Sequence, residues 1–416
     1  MAKRIAAILF IFMCTAIAWM ILGSTIFYRT YNSHSQLRGR VASNWGAPQE
    51  QAPPTATYDI KFSKQVVSEE NGKKTMRTEE NQRLCAFPIE KSRVKVGLHL
   101  NYRRKGLLWY SAYRVKFAGA YEFTNPDDVA RDVTFTLHLP AEKAIYDGVA
   151  FSVNGRPLAI SNDKMDTHGT TRIESHERAI LAVAYESQGL ESWKYNFGGG
   201  VNQVRDFELH ATTDFGGFDF PETTLSPTQE RAVPGGWDLI WNYKNLVSGY
   251  TIGISMPQKL QPGPLAGRIS YFAPVSLLFF FFVLFTLTAI HGIELHPMNY
   301  FFLACAFFSF HLLMAYLADH ISIHAAFAIC SCVSMFLVVS YLRLVVGMRF
   351  AAVEAGIAQL VYLVLFSYAF FFEGYTGLAV TIGAILSLFV AMQVTGRVRW
   401  SGKFAPRTAS VTQTGR

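Results

Sequence analysis

The chain has 416 residues, half of them hydrophobic, with a mean hydropathy of +0.19 and a formal net charge of +8. The apolar residues come in blocks, each near the roughly 20 residues that cross a bilayer core, which excludes an ordinary soluble domain. The charge does not point to nucleic acid: residues 30–268 hold 28 Lys and Arg against 26 Asp and Glu, while the rest hold 10 basic and 4 acidic residues. The excess therefore sits beside the apolar blocks, where it orients helices.

The first block, Ile5–Tyr28, follows Lys3 and Arg4. Ala16-Ile17-Ala18 would suit signal cleavage, but the run continues through Trp19, Leu22 and Phe27, past the roughly 7–15 residues of a signal core. Residues 1–29 are expected to form an uncleaved anchor. Gln36–Pro54, with Trp45-Gly46-Ala47-Pro48 and Pro53-Pro54, reads as a tether.

Residues 30–268 change character. Arg93–Leu100 and Val133–Leu139 alternate apolar and polar residues with period two, the mark of half-buried strands. Tyr58–Val67, Trp109–Phe117, Ile180–Tyr185, Phe207–Thr213, Trp237–Tyr243 and Tyr250–Ser255 are further strand candidates. Asn71-Gly72 and Asn154-Gly155 suit type I′ hairpin turns. Pro221–Gly236 reads as a loop, and Gly198-Gly199-Gly200 lacks a following Lys-Ser or Lys-Thr, so it reads as a turn and not a phosphate cradle. Only Cys85 lies in this region, which excludes an internal disulfide. The expected fold is an all-β, antiparallel, sandwich-like domain inserted between membrane helices.

Five more apolar runs follow: Tyr271–Ile290, Asn299–Leu317, Ser322–Leu342, Ala351–Phe372 and Tyr375–Thr395. Short links between them predict a compact bundle over residues 269–396. Residues 397–416 form a basic tail. With Lys3 and Arg4 in the cytoplasm, six spans (one plus five) place Arg343, Arg349, Arg397, Arg399, Lys403, Arg407 and Arg416 there too, and only Arg29 falls outside. Both termini are thus expected in the cytoplasm, with residues 30–268 beyond the membrane.

Glu294-Leu295-His296-Pro297-Met298-Asn299-Tyr300 and the following helix ending in Leu317-Ala318-Asp319-His320 resemble the CreD family of bacterial inner-membrane proteins, described as cell-envelope-integrity proteins. Trp45–Gln49, Gly106–Phe123 and Gly236-Trp237-Asp238-Leu239-Ile240-Trp241 carry the same resemblance. It implies an N-terminal span, a large periplasmic domain, a C-terminal bundle and a role in envelope integrity or stress response. It supplies no reaction and no catalytic residue.

The chain holds no HExxH, GxSxG, Walker A or CxxC motif. Polar residues beside the spans are the remaining candidates, because charge within a bilayer is costly. Glu354, near the start of the fifth span, is expected to pair with Arg349 or Arg343, with a proton relay as the sharper reading. Gln359 and Gln393 are expected to hydrogen-bond between helices. His320 and His324, beside Asp319 and four apart, have zinc-ligand spacing, but a turn interrupts the helix there, so interfacial polar residues are the plainer reading. Glu294 and His296 read as a cap or cytoplasmic contact, with Pro297 in the first helical turn. Trp237 and Trp241 mark the last strands before the bundle.

No cofactor is expected. The partners expected are the lipid bilayer and an envelope component or protein bound by the β domain, with no nucleic acid. The leading function is a non-enzymatic protein of envelope integrity in the inner membrane. A transporter or flippase using the bundle, and an envelope-active hydrolase or transferase using a cleft in the β domain, are the alternatives.

Overall fold

The computed structural model describes residues 2–70, 73–105, 108–198, 202–372 and 374–396. The Asn71-Gly72 turn, most of the Gly198–Gly200 run, Glu373 and the tail 397–416 lie outside the described residues. The chain divides into a helical unit, Met1–Ser35 with Leu260–Arg416, and a β unit, Gln36–Lys259.

Helix α1 spans Ala2–Trp45. The tether expected from Gln36 is therefore helical for its first part. Its last turns bury Val41 against Leu108, Tyr110 and Leu190, an apolar face within a stretch whose glycine and prolines read as a tether. Gly46, at φ 93°, ends the helix in a left-handed conformation.

In the helical unit α2 is Pro262–His291, α3 Pro297–Leu317, α4 Ile323–Val346, α5 Phe350–Phe371 and α6 Thr376–Thr395. With the Arg4–Asn32 stretch of α1, the described residues hold six helices long and apolar enough to cross a membrane. Helix α2 starts at Pro262 and not after Arg268, because Pro262 and Pro264 suit its first turn. Ser322 caps α4 by accepting from the Ala325 N–H at 3.4 Å. Trp19 of α1, Leu277 and Phe280 of α2, Tyr300 and Phe307 of α3, Val338 of α4 and Leu363 of α5 share one core. Helix α6 differs: its most apolar stretch has no buried residue.

Helix α5 is not uniformly α-helical. Phe350–Ala355 and Leu360–Leu365 are π-helical turns. The Ser276 hydroxyl of α2 donates to the Tyr362 carbonyl within the second of these. Wide turns of this kind loosen a helix's own hydrogen-bond ladder and leave carbonyls for such outside donors.

In the β unit the strands in chain order are β1 (Gln49–Gln51), β2 (Thr55–Glu70), β3 (Lys73–Phe87), β4 (Ile89–Lys105), β5 (Leu108–Thr124), β6 (Arg131–His138), β7 (Tyr146–Val153), β8 (Arg156–Pro157) and β9 (Ser161–Asp163). They continue with β10 (Asp166–Ile173), β11 (Arg178–Leu190), β12 (Ser192–Tyr195), β13 (Asn202–Thr213), β14 (Thr224–Leu225), β15 (Gln229–Val233), β16 (Gly236–Ser248) and β17 (Thr251–Ser255). Among the described residues three sheets form, ordered β15-β16-β13-β4-β5-β11-β7-β8, β3-β2-β6-β10-β9 and β1-β12-β17-β14. The pairing is mixed: β4 with β13, β1 with β12 and β14 with β17 are parallel. The expected loop Pro221–Gly236 contains β14 and β15, edge strands too short or too exposed to show alternation. Asn154 and Gly155 have φ 52° and 77°, as a type I′ turn between β7 and β8 requires.

The sheets share one apolar core. Phe123 of β5 meets Phe135 of β6 edge to face at 5.5 Å, and Tyr195 of β12 meets Phe207 of β13 at 5.6 Å. Strand β1 carries two buried amides into this core. Gln49 Nε2 donates to Ser187 Oγ at 2.8 Å, while Gln51 Oε1 accepts from Tyr185 Oη at 2.7 Å and its Nε2 donates to the His138 carbonyl at 3.1 Å. Replacing Gln51 with Leu strands the Tyr185 hydroxyl in a dry core. Thermal melting of the full chain in detergent is expected to show a loss of about 1–3 kcal/mol for Gln51→Leu, and an unchanged transition would remove β1 from the stabilising core.

Candidate functional site

The polar residues singled out from the sequence do not converge. His296 caps α3, its Nδ1 accepting from the Met298 N–H at 3.3 Å, with Pro297 in the first turn. Glu294 is exposed in the preceding turn. Asp319, after α3, accepts from Arg29 of α1 at 3.1 Å, and the same guanidinium donates to the Ala315 carbonyl at 3.1 Å. His320 and His324 are exposed, and the His324 ring lies 5.1 Å from that of Phe371. Among the described residues no group of three or more His, Cys, Asp or Glu is placed to hold a metal.

Glu354 faces a partner that sequence spacing did not suggest. Its Oε1 lies 3.5 Å from Nε2 of His291, at the end of α2, and not beside Arg349 or Arg343. Helix packing brings together residues far apart in the chain, which local spacing does not encode. Gln359 is fully buried, and its Nε2 donates to Ser334 Oγ of α4 at 2.9 Å. Gln393 is exposed. Trp241 is fully buried and donates to the Leu225 carbonyl at 2.8 Å, and Trp237 stands edge to face with Phe218 at 5.6 Å. These two tryptophans build the core beneath the sheet.

The feature best formed to receive a partner lies on the outward face of the eight-stranded sheet. Cross-strand register on β4, β5, β11 and β7 aligns Arg93, Ala120, Ala182 and Ser152 in one row, and Lys95, Ala118, Ala184 and Ala150 in the next. Strands about 4.8 Å apart make the small residues the floor of a strip about 10 Å wide. This strip is a trough of about 450 Å³. The inner face stiffens it: Phe117 and Tyr185 stack at 4.9 Å. A Cβ on Gly119 would lie 2.6 Å from the Tyr121 ring, so only glycine lets that ring fold beneath the floor.

Charge frames the trough. Lys116 pairs with Glu186 at 2.8 Å toward one end, and Arg178 with Glu122 at 3.0 Å toward the other. Arg93 is committed to Asp206 at 2.6 Å, and hydrogen bonding from Arg93 and Lys91 holds the Asp206 carboxyl below its ordinary range. Lys95 is exposed and forms no ion pair among the described residues. The surface therefore offers an apolar floor and one uncommitted cation. Its sequence signal is the double Ala-x-Ala pattern of Phe117-Ala118-Gly119-Ala120-Tyr121 and Leu181-Ala182-Val183-Ala184-Tyr185, with alanine where an exposed strand face ordinarily carries polar residues.

Residues 240–401 match the CreD family, described as Inner membrane protein CreD. The Glu294–Tyr300 run lies within that stretch, while Trp45–Gln49 and Gly106–Phe123 lie before it. No curated protein matches the chain. Among solved structures, it is similar to a putative nutrient binding protein from Legionella pneumophila, at 8% identity and TM-score 0.33, over 56% of this chain and 76% of that one. It is also similar to an M1 zinc metallopeptidase mutant from Deinococcus radiodurans, at 10% identity and TM-score 0.26, over 41% of this chain and 42% of that one.

The Arg29–Asp319 pair joins α1 to the turn after α3 at 3.1 Å, closer than the 3.5 Å contact of His291 with Glu354. A double-mutant cycle with Arg29→Gln and Asp319→Asn, read by thermal melting in detergent, is expected to give a coupling of about 1 kcal/mol, above that of a fully exposed pair. Additive effects of the two substitutions would show that the contact contributes nothing.

Proposed function

We propose that this CreD-like chain is a non-enzymatic inner-membrane protein of envelope integrity and stress response, whose β unit lies outside the cytoplasm and docks an envelope partner through its alanine-floored trough. The trough carries this reading: an exposed sheet face whose floor bears no charge, with Lys95 uncommitted at the rim, suits an apolar segment bearing an acidic residue. Ion pairing at the ends of the trough disfavours sideways slippage of such a segment. The six apolar helices and the basic residues flanking them support insertion with both termini in the cytoplasm. In this orientation Arg29, the basic residue outside the β region that falls on the far side, is neutralised there by Asp319.

The trough can be filled without touching the core. Arg at positions 118 and 184 adds bulk and charge to an outward face, where surface substitutions ordinarily change stability by no more than about 0.5 kcal/mol. In cells whose own copy is removed, Ala118→Arg with Ala184→Arg is expected to give a stably inserted protein that fails to restore resistance to envelope stress. Lys95→Glu is expected to reproduce most of that loss. Full restoration by the doubly substituted protein would overturn the docking role.

A further inference from the structure

The helical unit contains a second cleft, unrelated to the trough. Between α2, α5 and α6 run two cavities of about 490 and 380 Å³, meeting at Tyr362, Gly383 and Ser387. The larger lies beside the first half of α5 and ends at Glu354, and the smaller lies beside the second half. Apart from Glu354, the larger cavity is lined almost wholly by apolar groups such as Phe282 and Tyr362. Its width is preserved at Gly383, where an added Cβ would meet nothing within 4 Å.

We propose that this larger cavity binds an acyl chain of a bilayer phospholipid whose headgroup is an amine held by Glu354. The inference rests on the reading that these helices cross a membrane, and three observations support it. First, the cavity follows about ten residues of α5, or about 15 Å of helix. That length matches one leaflet's share of a hydrocarbon core about 30 Å thick, so an extended acyl chain fits along it. Second, no described residue of α6 is buried along its most apolar stretch, so on the membrane reading that helix and the cleft beside it face lipid.

Third, the polar end is incomplete. Glu354 Oε1 has His291 at 3.5 Å, but Oε2 is buried and finds no hydrogen-bond partner among the described residues. A buried carboxylate oxygen without a donor is unfavourable. Glu354 is the fifth residue of α5, about 6 Å along from the helix start, a depth that a lipid headgroup reaches. An ammonium group supplies the missing donor and the opposite charge, and a phosphoglycerol headgroup supplies no such cation.

The test uses the full chain in nanodiscs made from equal amounts of phosphatidylethanolamine and phosphatidylglycerol, then released for native mass spectrometry of retained lipid. Alkaline extraction of membranes checks insertion separately, so that failure to span a bilayer is distinguished from failure to bind lipid. The wild-type chain is expected to retain phosphatidylethanolamine about tenfold over phosphatidylglycerol, the discrimination of one charge-assisted hydrogen bond. Gly383→Leu, which fills the cleft, is expected to abolish retention. Gly377→Leu, also open at its Cβ but outside the lining, is expected to leave it unchanged. Glu354→Gln is expected to keep the retained lipid and lose the headgroup preference. Equal retention of both lipids by the wild-type chain overturns the proposal whether or not the variants fold. So does undiminished retention by Gly383→Leu, or a disulfide-linked dimer of Ser387→Cys replacing retained lipid.

Discussion

A charge left alone among apolar helices is unfavourable by several kcal/mol, and the polar residues of the helical unit are arranged around that constraint. The region outside the β domain has few acids, and two of them meet a basic side chain brought from elsewhere in the unit: Asp319, just after α3, meets Arg29 of α1, and Glu354 of α5 meets His291 of α2. The buried amide of Gln359 is joined to Ser334, whose hydroxyl passes the connection to the Ala306 carbonyl at 2.7 Å. These cross-helix contacts set which faces of otherwise interchangeable apolar helices turn inward. Glu354 satisfies the constraint only in part, and its second oxygen is where the bundle still lacks a donor.

The helices were legible in the sequence because their signal is an uninterrupted run of apolar residues, independent of tertiary contacts. Their ends were less so: α2 begins at Pro262, within a stretch read as β, because a proline-rich entry looks like a loop until helix follows it. Strands β4, β6 and β13 were visible because one face is buried and the other wet. Strand β3 was not. Its polar sequence takes its place at a sheet edge by pairing with β2 over fifteen positions. The parallel pairing of β4 with β13 joins segments far apart in the chain, and no local pattern encodes it.

The site followed the same division. The acids and histidines beside the helices cap them or pair at their ends, and Trp237 and Trp241 pack a core. The trough escaped because it is made of what is missing: side chains beyond Cβ at Ala118, Ala120, Ala182 and Ala184. A pair of Ala-x-Ala patterns is visible in the sequence, but only the antiparallel register of β5 and β11 places them side by side, and only β4 beside them brings Lys95 to the rim.

On the proposed reading the alanine floor faces outside the cytoplasm and is covered by a partner there. Thiol labelling of Ala118→Cys with a membrane-impermeant reagent tests both parts in one measurement, with Asn242→Cys, exposed on β16 of the same sheet, as the reference. Both positions are expected to label in cells whose outer barrier is opened but whose inner membrane is intact. Position 118 is expected to react more slowly there than in the purified chain, while position 242 reacts equally in both. Labelling that requires lysis of the inner membrane, or equal rates at position 118 in cells and in isolation, would contradict it.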